Sequence, residues 1–120
     1  MTTPGEEFAK ALAARDVAGV RAITAPDLDF RAMTPRRYWE AHDHDELLDV
    51  LFGHWLEPTD EVVALLSTST GEVSTRGHVA YRLHLRNARG DSLMEQQMYY
   101  DVTDGRISWA RVMCSGFVPI

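Results

Sequence analysis

The chain has a single cysteine, Cys114, among 120 residues. No internal disulfide can form, and a lone thiol is the usage expected of a reducing, cytoplasmic compartment. Positive charge is scarce as well. Lys and Arg number 12 against 18 Asp and Glu, a formal net charge of −6. Phosphate backbones are held by basic surfaces, so this balance argues against a nucleic-acid partner. No apolar run approaches the ~20 residues of a membrane-spanning helix. The opening "MTTPGEEFAK" has neither the basic start nor the apolar middle of a secretory signal. Glycine and proline are few, 8 and 5, and no repeat, low-complexity tract or linker breaks the chain. Residues 1–120 read as one domain with one core.

What is present is a change of period. Thr3-Pro4-Gly5-Glu6 has the form of a helix start: a Thr cap, Pro at the first helical position and Glu three residues after the cap. Phe8, Ala9, Ala11 and Leu12 then make an apolar stripe. Asp16 is placed to cap a second short helix carrying Val17, Val20 and Ile23, which Pro26 ends. "LDFRAM" reads as a short strand with Phe30 and Ala32 on one face and Arg31 and Met33 on the other. After a turn at Pro35, a third helix is predicted from about Asp45 to Leu56, with Leu48, Leu51, Phe52 and Trp55 on one side. From Glu61 onward the period is two. Strands are predicted in "VVALLSTST", "VSTRGHVAYRLHLR", "SLMEQQMYYDVT" and "RISWARVMCSGFV", separated by Gly71, "NARGD" and Asp104-Gly105. Three N-terminal helices packed on one face of a curved antiparallel sheet, an α+β layout, follow from this order.

The stretch His42-Asp43-His44-Asp45 suggests a metal site or an acid–base relay. A metal needs several converging ligands, and no third is evident nearby. Asp43 with Glu46, or Asp45 with Leu48, can instead cap the third helix, where carboxylates also favour the positive end of its dipole. No metal or cofactor is expected. In "VSTRGHVAYRLHLR", His78 and His84 share a face with Arg76 and Arg82, a solvated or subunit-contact row. Cys114 has no histidine nearby in sequence to activate it and reads as a buried, inert thiol.

The order of elements resembles the nuclear-transport-factor-two-like superfamily, which includes ketosteroid isomerases and the SnoaL-like polyketide cyclases. The resemblance spans nearly the whole chain and rests on "FAKALAARDVAGVRAITAPDLDFRA" and on the hairpin "DGRISWARV". It implies a cone with a pocket between sheet and helices, and in many members a dimer through the sheet. It also implies where chemistry would sit. The isomerases' tyrosine falls on Phe8, their base aspartate on Ala32 and their oxyanion-binding acid near Gln97. Phenylalanine and alanine cannot serve those roles, so ketosteroid isomerisation by that route is not expected. The epoxide-hydrolysing branch needs an Asp–Arg–Asp set, of which Asp101 and Arg111 are present.

The last hairpin sets two arguments against each other. A two-residue turn at Asp104-Gly105 would put Tyr100 opposite Trp109, Met98 opposite Arg111 and Gln97 opposite Val112. Hydrophobicity would then turn Met98, Tyr100 and Trp109 toward the helices. The resemblance turns Glu95, Gln97, Tyr99 and Asp101 inward, with Ser108, Ala110, Val112 and Cys114 on the same face, and leaves the other face to a partner. A homodimer through the face bearing Tyr100, Trp109 and Met113 reconciles them. On that reading Phe8, Leu12, Phe30, Trp39, Leu51 and Trp55 wall a pocket in which Gln97 and Tyr99 orient a small apolar metabolite. Were the protein an enzyme of the cyclase, isomerase or hydratase type, Asp101 or Glu95 would be its acid–base group.

Overall fold

The computed structural model describes residues 2–120. The Thr3 hydroxyl accepts the Glu6 backbone N–H at 3.2 Å, so helix α1 (Pro4–Ala13) starts where its cap pattern predicts. It buries Phe8, Ala9, Ala11 and Leu12 along one stripe. Asp16 caps α2 (Val17–Ile23) through the Gly19 N–H. Strand β1 (Thr24–Thr34) follows directly, with Pro26 inside it at an exposed position. Phe30 and Ala32 face inward and Met33 outward, as the alternation predicts.

Beyond Pro35 the sequence reading missed a strand. β2 (Arg37–Ala41) pairs antiparallel with β1, setting Trp39 opposite Ala32. The third helix is present but divided: α3 (His44–Leu48) is α-helical, and Asp49–Trp55 continues as a π-helix. The histidine–aspartate stretch starts it. Asp43 accepts the Glu46 N–H as N-cap, and Glu46 reaches back to the N–H of His42, the residue before the cap, both at 2.8 Å, a variant of the capping box. The remaining side chains diverge: His44 Nε2 lies 3.0 Å from the Thr24 carbonyl, and Asp45 pairs with Arg21.

Four long strands complete the chain: β3 (Glu61–Val73), β4 (Arg76–Asn87), β5 (Gly90–Thr103) and β6 (Arg106–Cys114), before a short β7 (Val118–Pro119). The sheet runs β2-β1-β6-β5-β4-β3, with β7 beside β5. Every pairing is antiparallel except β1 with β6. Helix α1 lies over β3, β4 and β5, α2 over β1 and β6, and α3 over β1 and β2. The architecture is α+β: a curved, open, mostly antiparallel sheet with helices on its inner face. Two boundaries differ from expectation. The β3–β4 turn is Ser74-Thr75, with Ser74 at φ 56°, whereas Gly71 lies within β3 opposite His78. β6 stops at Cys114, where Gly116 at φ 75° turns the chain.

Asp104 and Gly105 form the predicted tight turn, with φ 53° and 79°. The register beyond it does not follow, because Ser108 is bulged out. Val102 pairs with Ile107, but Asp101 pairs with Trp109, and from there Tyr100 opposes Ala110, Met98 opposes Val112 and Gln97 opposes Met113. One inserted residue reverses the facing of everything after it on β6. Ile107 points inward, Trp109 outward, and Ala110, Val112 and Cys114 inward again. On β5 the inward residues are Ser92, Met94, Gln96, Met98 and Tyr100. Tyr100 therefore belongs to the core, not to an outer dimer face. Two glycines make room for its ring. A Cβ on Gly77 would lie 2.5 Å from Tyr100 Cζ, and one on Gly5 would lie 2.7 Å from Cε1.

Candidate functional site

The cone's interior is filled. Phe8, Leu12, Phe30 and Leu51 are 0–1 % exposed and pack with Leu83, Leu85 and Met98 into one core. Open space lies instead at one end, where a cavity of about 920 Å³ is bounded by the β1–β2 turn, the end of the π-helix, the β4–β5 turn and the segment after β6. Of the expected pocket residues, Trp39 and Trp55 line it, while Phe8, Leu12, Phe30 and Leu51 do not. Met94 and Cys114 are on its wall and Phe117 is at its edge.

Its aromatic corner is a product of local structure. β2 presents Trp39, whose indole N–H donates to Thr34 Oγ1 at 2.8 Å. The wider turn of the π-helix brings residues five apart together, so His54 Nε2 reaches Asp49 at 3.3 Å. It also delivers Trp55 to the corner. The Trp55 ring sits edge-on to Trp39 at 6.5 Å and against Phe30 at 5.9 Å, and His54 lies 5.0 Å from Trp39 on another side. Arg37 covers Trp39 from outside, its Cζ 3.7 Å from the ring centre.

The rim is tied down by residues the sequence did not single out. The Arg15 guanidinium donates to the carbonyls of Leu56 at 2.6 Å and Glu57 at 2.9 Å, and to that of Asp60. The Asp60 carboxylate accepts from the Glu57 N–H at 3.1 Å and from Asn87 Nδ2 at 3.0 Å, joining the two loops across the opening. Asp60 is the buried carboxylate on the cavity wall. Its local bond to the Glu57 N–H is an ordinary turn contact, and the partners that make it a tie across the rim lie 45 residues before it and 27 after.

Beneath the cavity lies a small polar group. The Tyr81 hydroxyl donates to Gln96 Oε1, and burial pushes that phenol far above the ordinary tyrosine range. Gln96 Nε2 has no acceptor. Cys114 stands opposite Gln96 across the β5–β6 ladder. Burial raises its thiol pKa, opposed by the neighbouring Gln96 amide, yet sulfur is too weak an acceptor to satisfy that amide. Cys114 is buried, as expected, and burial favours its protonated form. Trp55 Nε1 likewise is enclosed without a partner.

The four polar residues expected on β5 are on the wrong face for this site. Gln97 and Tyr99 are exposed and stand beside His78, which lies 3.0 Å from Gln97 Oε1 and 4.7 Å from the Tyr99 ring. Glu95 pairs with Arg82, and Asp101 with Arg76 at 3.3 Å. Neither acid reaches the cavity. The physical reason is the odd numbering of all four: on β5 the even residues face inward. Arg111 pairs with Asp29, whose carboxyl it holds below the usual range, mainly by hydrogen bonding. With Asp101 on Arg76, these are two separate outer-face pairs, with Trp109 between the two guanidiniums at 3.9 and 4.3 Å. They are not an Asp–Arg–Asp set inside the cone.

No protein-family model matches the sequence, and no curated protein does. Solved structures do share its fold. A proposed isomerase of Rhodopseudomonas palustris superposes with a TM-score of 0.76 at 13% identity, over 97% of this chain and 92% of its own. An LEH-like epoxide hydrolase of M. tuberculosis gives 0.67 at 16%, over 93% of this chain and 80% of that one. A nuclear-transport-factor-two-like protein of unknown function from Burkholderia pseudomallei gives 0.63 at 21%, over 91% and 86%. The chain has the nuclear-transport-factor-two-like fold. Within that class its architecture is shared by SnoaL-like cyclases and ketosteroid isomerase-like proteins alike, and one fold hosting several chemistries leaves function to the site.

Proposed function

We propose that this protein binds a small, mostly apolar metabolite at the open end of its cone. The observation that supports this best is the cavity of about 920 Å³ with Trp39 and Trp55 meeting edge to face on its wall. Its size falls within the range of small-molecule sites, and Trp39, Trp55, Met94 and Phe117 give it an apolar corner beside the polar groups of Arg36, His54, Asp60 and Arg89. Phe8 and Ala32, both buried, stand where the resemblance would put a hydroxyl and a carboxylate, which favours binding over proton transfer by that route. A ligand that prefers the native state raises its melting temperature, so a thermal-shift screen of apolar metabolites is the test. Shifts should appear for some ligands and vanish in Trp39→Ala. A ligand that acts equally on both proteins would move the site elsewhere.

The enzyme alternative, a cyclase, isomerase or hydratase, rests on one observation: Asp60 places a buried carboxylate on the cavity wall. It takes over the acid–base role first assigned to Asp101 and Glu95. Under that reading Asp60→Asn removes turnover and retains binding, whereas undiminished turnover rejects it. We also propose a cytoplasmic homodimer through the outer sheet face. Met33 and Met113, 52% and 56% exposed, are adjacent on β1 and β6, and Trp109 lies further along the same face. A stable dimer would cover this patch.

A further inference from the structure

From the charges around the cavity we infer that its ligand is a monocarboxylic acid, with an apolar body against the Trp39–Trp55 corner and its carboxylate received by Arg36 and Arg89. This deepens the small-molecule reading above and rests on it. Both arginines line the cavity and are exposed. Acidic residues outnumber basic ones by 18 to 12, so a carboxylate partner is easily found in this chain. Arg21, Arg31, Arg76, Arg82, Arg86 and Arg111 each hold one. Among the described residues Arg36 and Arg89 hold none, although Glu57 and Asp60 stand on the same wall. The Asp60 carboxylate is occupied by the Glu57 N–H and by Asn87. His54, also on this wall, is paired with Asp49. Two guanidiniums at one cavity are left without an internal anion.

The backbone beneath each of them is fixed. Thr34 pairs with Arg37 across the turn Pro35-Arg36, and Arg36 sits at φ 69°. A turn with proline first and a positive φ second ordinarily takes glycine or asparagine at that second place. Arg15, another arginine at positive φ, uses its guanidinium on three backbone carbonyls. Arg36 has no such task inside the protein, and a strained residue without an internal role points to an external one. Its turn is also held from outside, since a Cβ on Gly116 would lie 2.9 Å from Pro35 Cγ. On the β4–β5 turn the Arg89 N–H donates to Asn87 Oδ1 at 2.8 Å, and Asn87 is bound in turn to Asp60. The ligand's class follows. A guanidinium meets a carboxylate through paired, charge-assisted N–H bonds. Glu57 and Asp60 on the wall repel a dianion, so a single negative charge fits the balance. Trp39, Trp55, Met94 and Phe117 leave the rest of the molecule apolar, and the tryptophan corner favours a flat ring.

The test compares 2-naphthoate with 2-naphthamide, and octanoate with octanamide, each amide being the uncharged counterpart of its acid at nearly the same shape. Binding at pH 7 is measured by titration calorimetry to the full chain, to the double variant Arg36→Gln with Arg89→Gln, and to Arg106→Gln. Arg106 also lacks a carboxylate partner among the described residues but is not on this cavity, so it controls for net charge. Melting temperatures confirm that the variants fold. The wild type should favour the acid of a pair about tenfold, the low end for charge-assisted hydrogen bonds at an open site. That preference should weaken as salt is raised. It should fall toward unity in the double variant and persist in Arg106→Gln, while the amide's affinity stays within about twofold throughout. Equal binding of acid and amide to the wild type overturns the carboxylate inference and leaves the pocket reading standing. A preference that survives in the double variant, or that Arg106→Gln removes equally, overturns it too. Failure of all four probes to bind overturns the small-molecule reading beneath it.

Discussion

Gly77→Ala is the sharpest perturbation of the inner packing. The added Cβ would sit 2.5 Å from Tyr100 Cζ, 2.7 Å from Cε2 and 2.8 Å from the hydroxyl, and the ring is already confined on its other side by Gly5. Carbon atoms in contact prefer about 3.5–4.0 Å, so the ring must be displaced by roughly 1 Å. Overpacking of this kind costs about 1–3 kcal/mol. Replacing glycine recovers about 0.4–1 kcal/mol through the unfolded chain, which leaves a net loss of about 1–2 kcal/mol. For a chain of this length that is roughly 4–8 °C in Tm. Urea unfolding followed by circular dichroism reads it directly. A Tyr100→Ala background should abolish most of the cost, since the three nearest atoms all belong to that residue. An unchanged or raised midpoint in Gly77→Ala, or the same loss in both backgrounds, would show that Tyr100 does not face the core, and the assignment of faces on β5 would fail with it.

Other consequences are simpler to check. Asp43→Ala removes the cap of α3 and should cost about 1 kcal/mol in urea unfolding, against a negligible change for Asp45→Ala. Asp91 is held at about 2, from an ordinary 3.8, by hydrogen bonds from Arg86 and then His84. Its folded-state pKa is depressed, so its contribution is complete above about 4 and lost as pH falls through about 2. Thermal stability of Asp91→Asn should therefore fall less steeply than wild type across that window, and parallel profiles would contradict the ion pair. Met113→Asp should dissociate the proposed dimer in sedimentation velocity without lowering Tm of the monomer. A species of unchanged size would remove this face as the interface.

Much of the fold was legible because local chemistry decides it. Thr3, Asp16 and Asp43 each cap the helix that follows them, and the Asp104-Gly105 turn forms with the predicted positive φ values. The hairpin's facing was not legible, because a bulge at Ser108 leaves no mark in an alternating sequence. Hydrophobicity was right that Met98 and Tyr100 of β5 point inward, and the resemblance was right about Ala110, Val112 and Cys114 of β6. No single register without a bulge could have satisfied both. The site suffered accordingly. Trp39 and Trp55 were identified as apolar walls, but Gln97 was named where its neighbour Gln96 faces in. Arg15, Asp60 and Asn87 bind the rim through contacts of 27 to 45 residues in separation, which no local pattern encodes.

The chain's 3 tryptophans offer the most direct test of the cavity as a ligand site. Two line it and Trp109 lies on the opposite face of the sheet. Titration with an apolar ligand that raises the melting temperature, followed through the indole N–H resonances by heteronuclear NMR, should move Trp39 and Trp55 together and saturably while Trp109 stays still. Movement of Trp109 alone, or no movement of Trp39 and Trp55 at saturating ligand, would contradict the account.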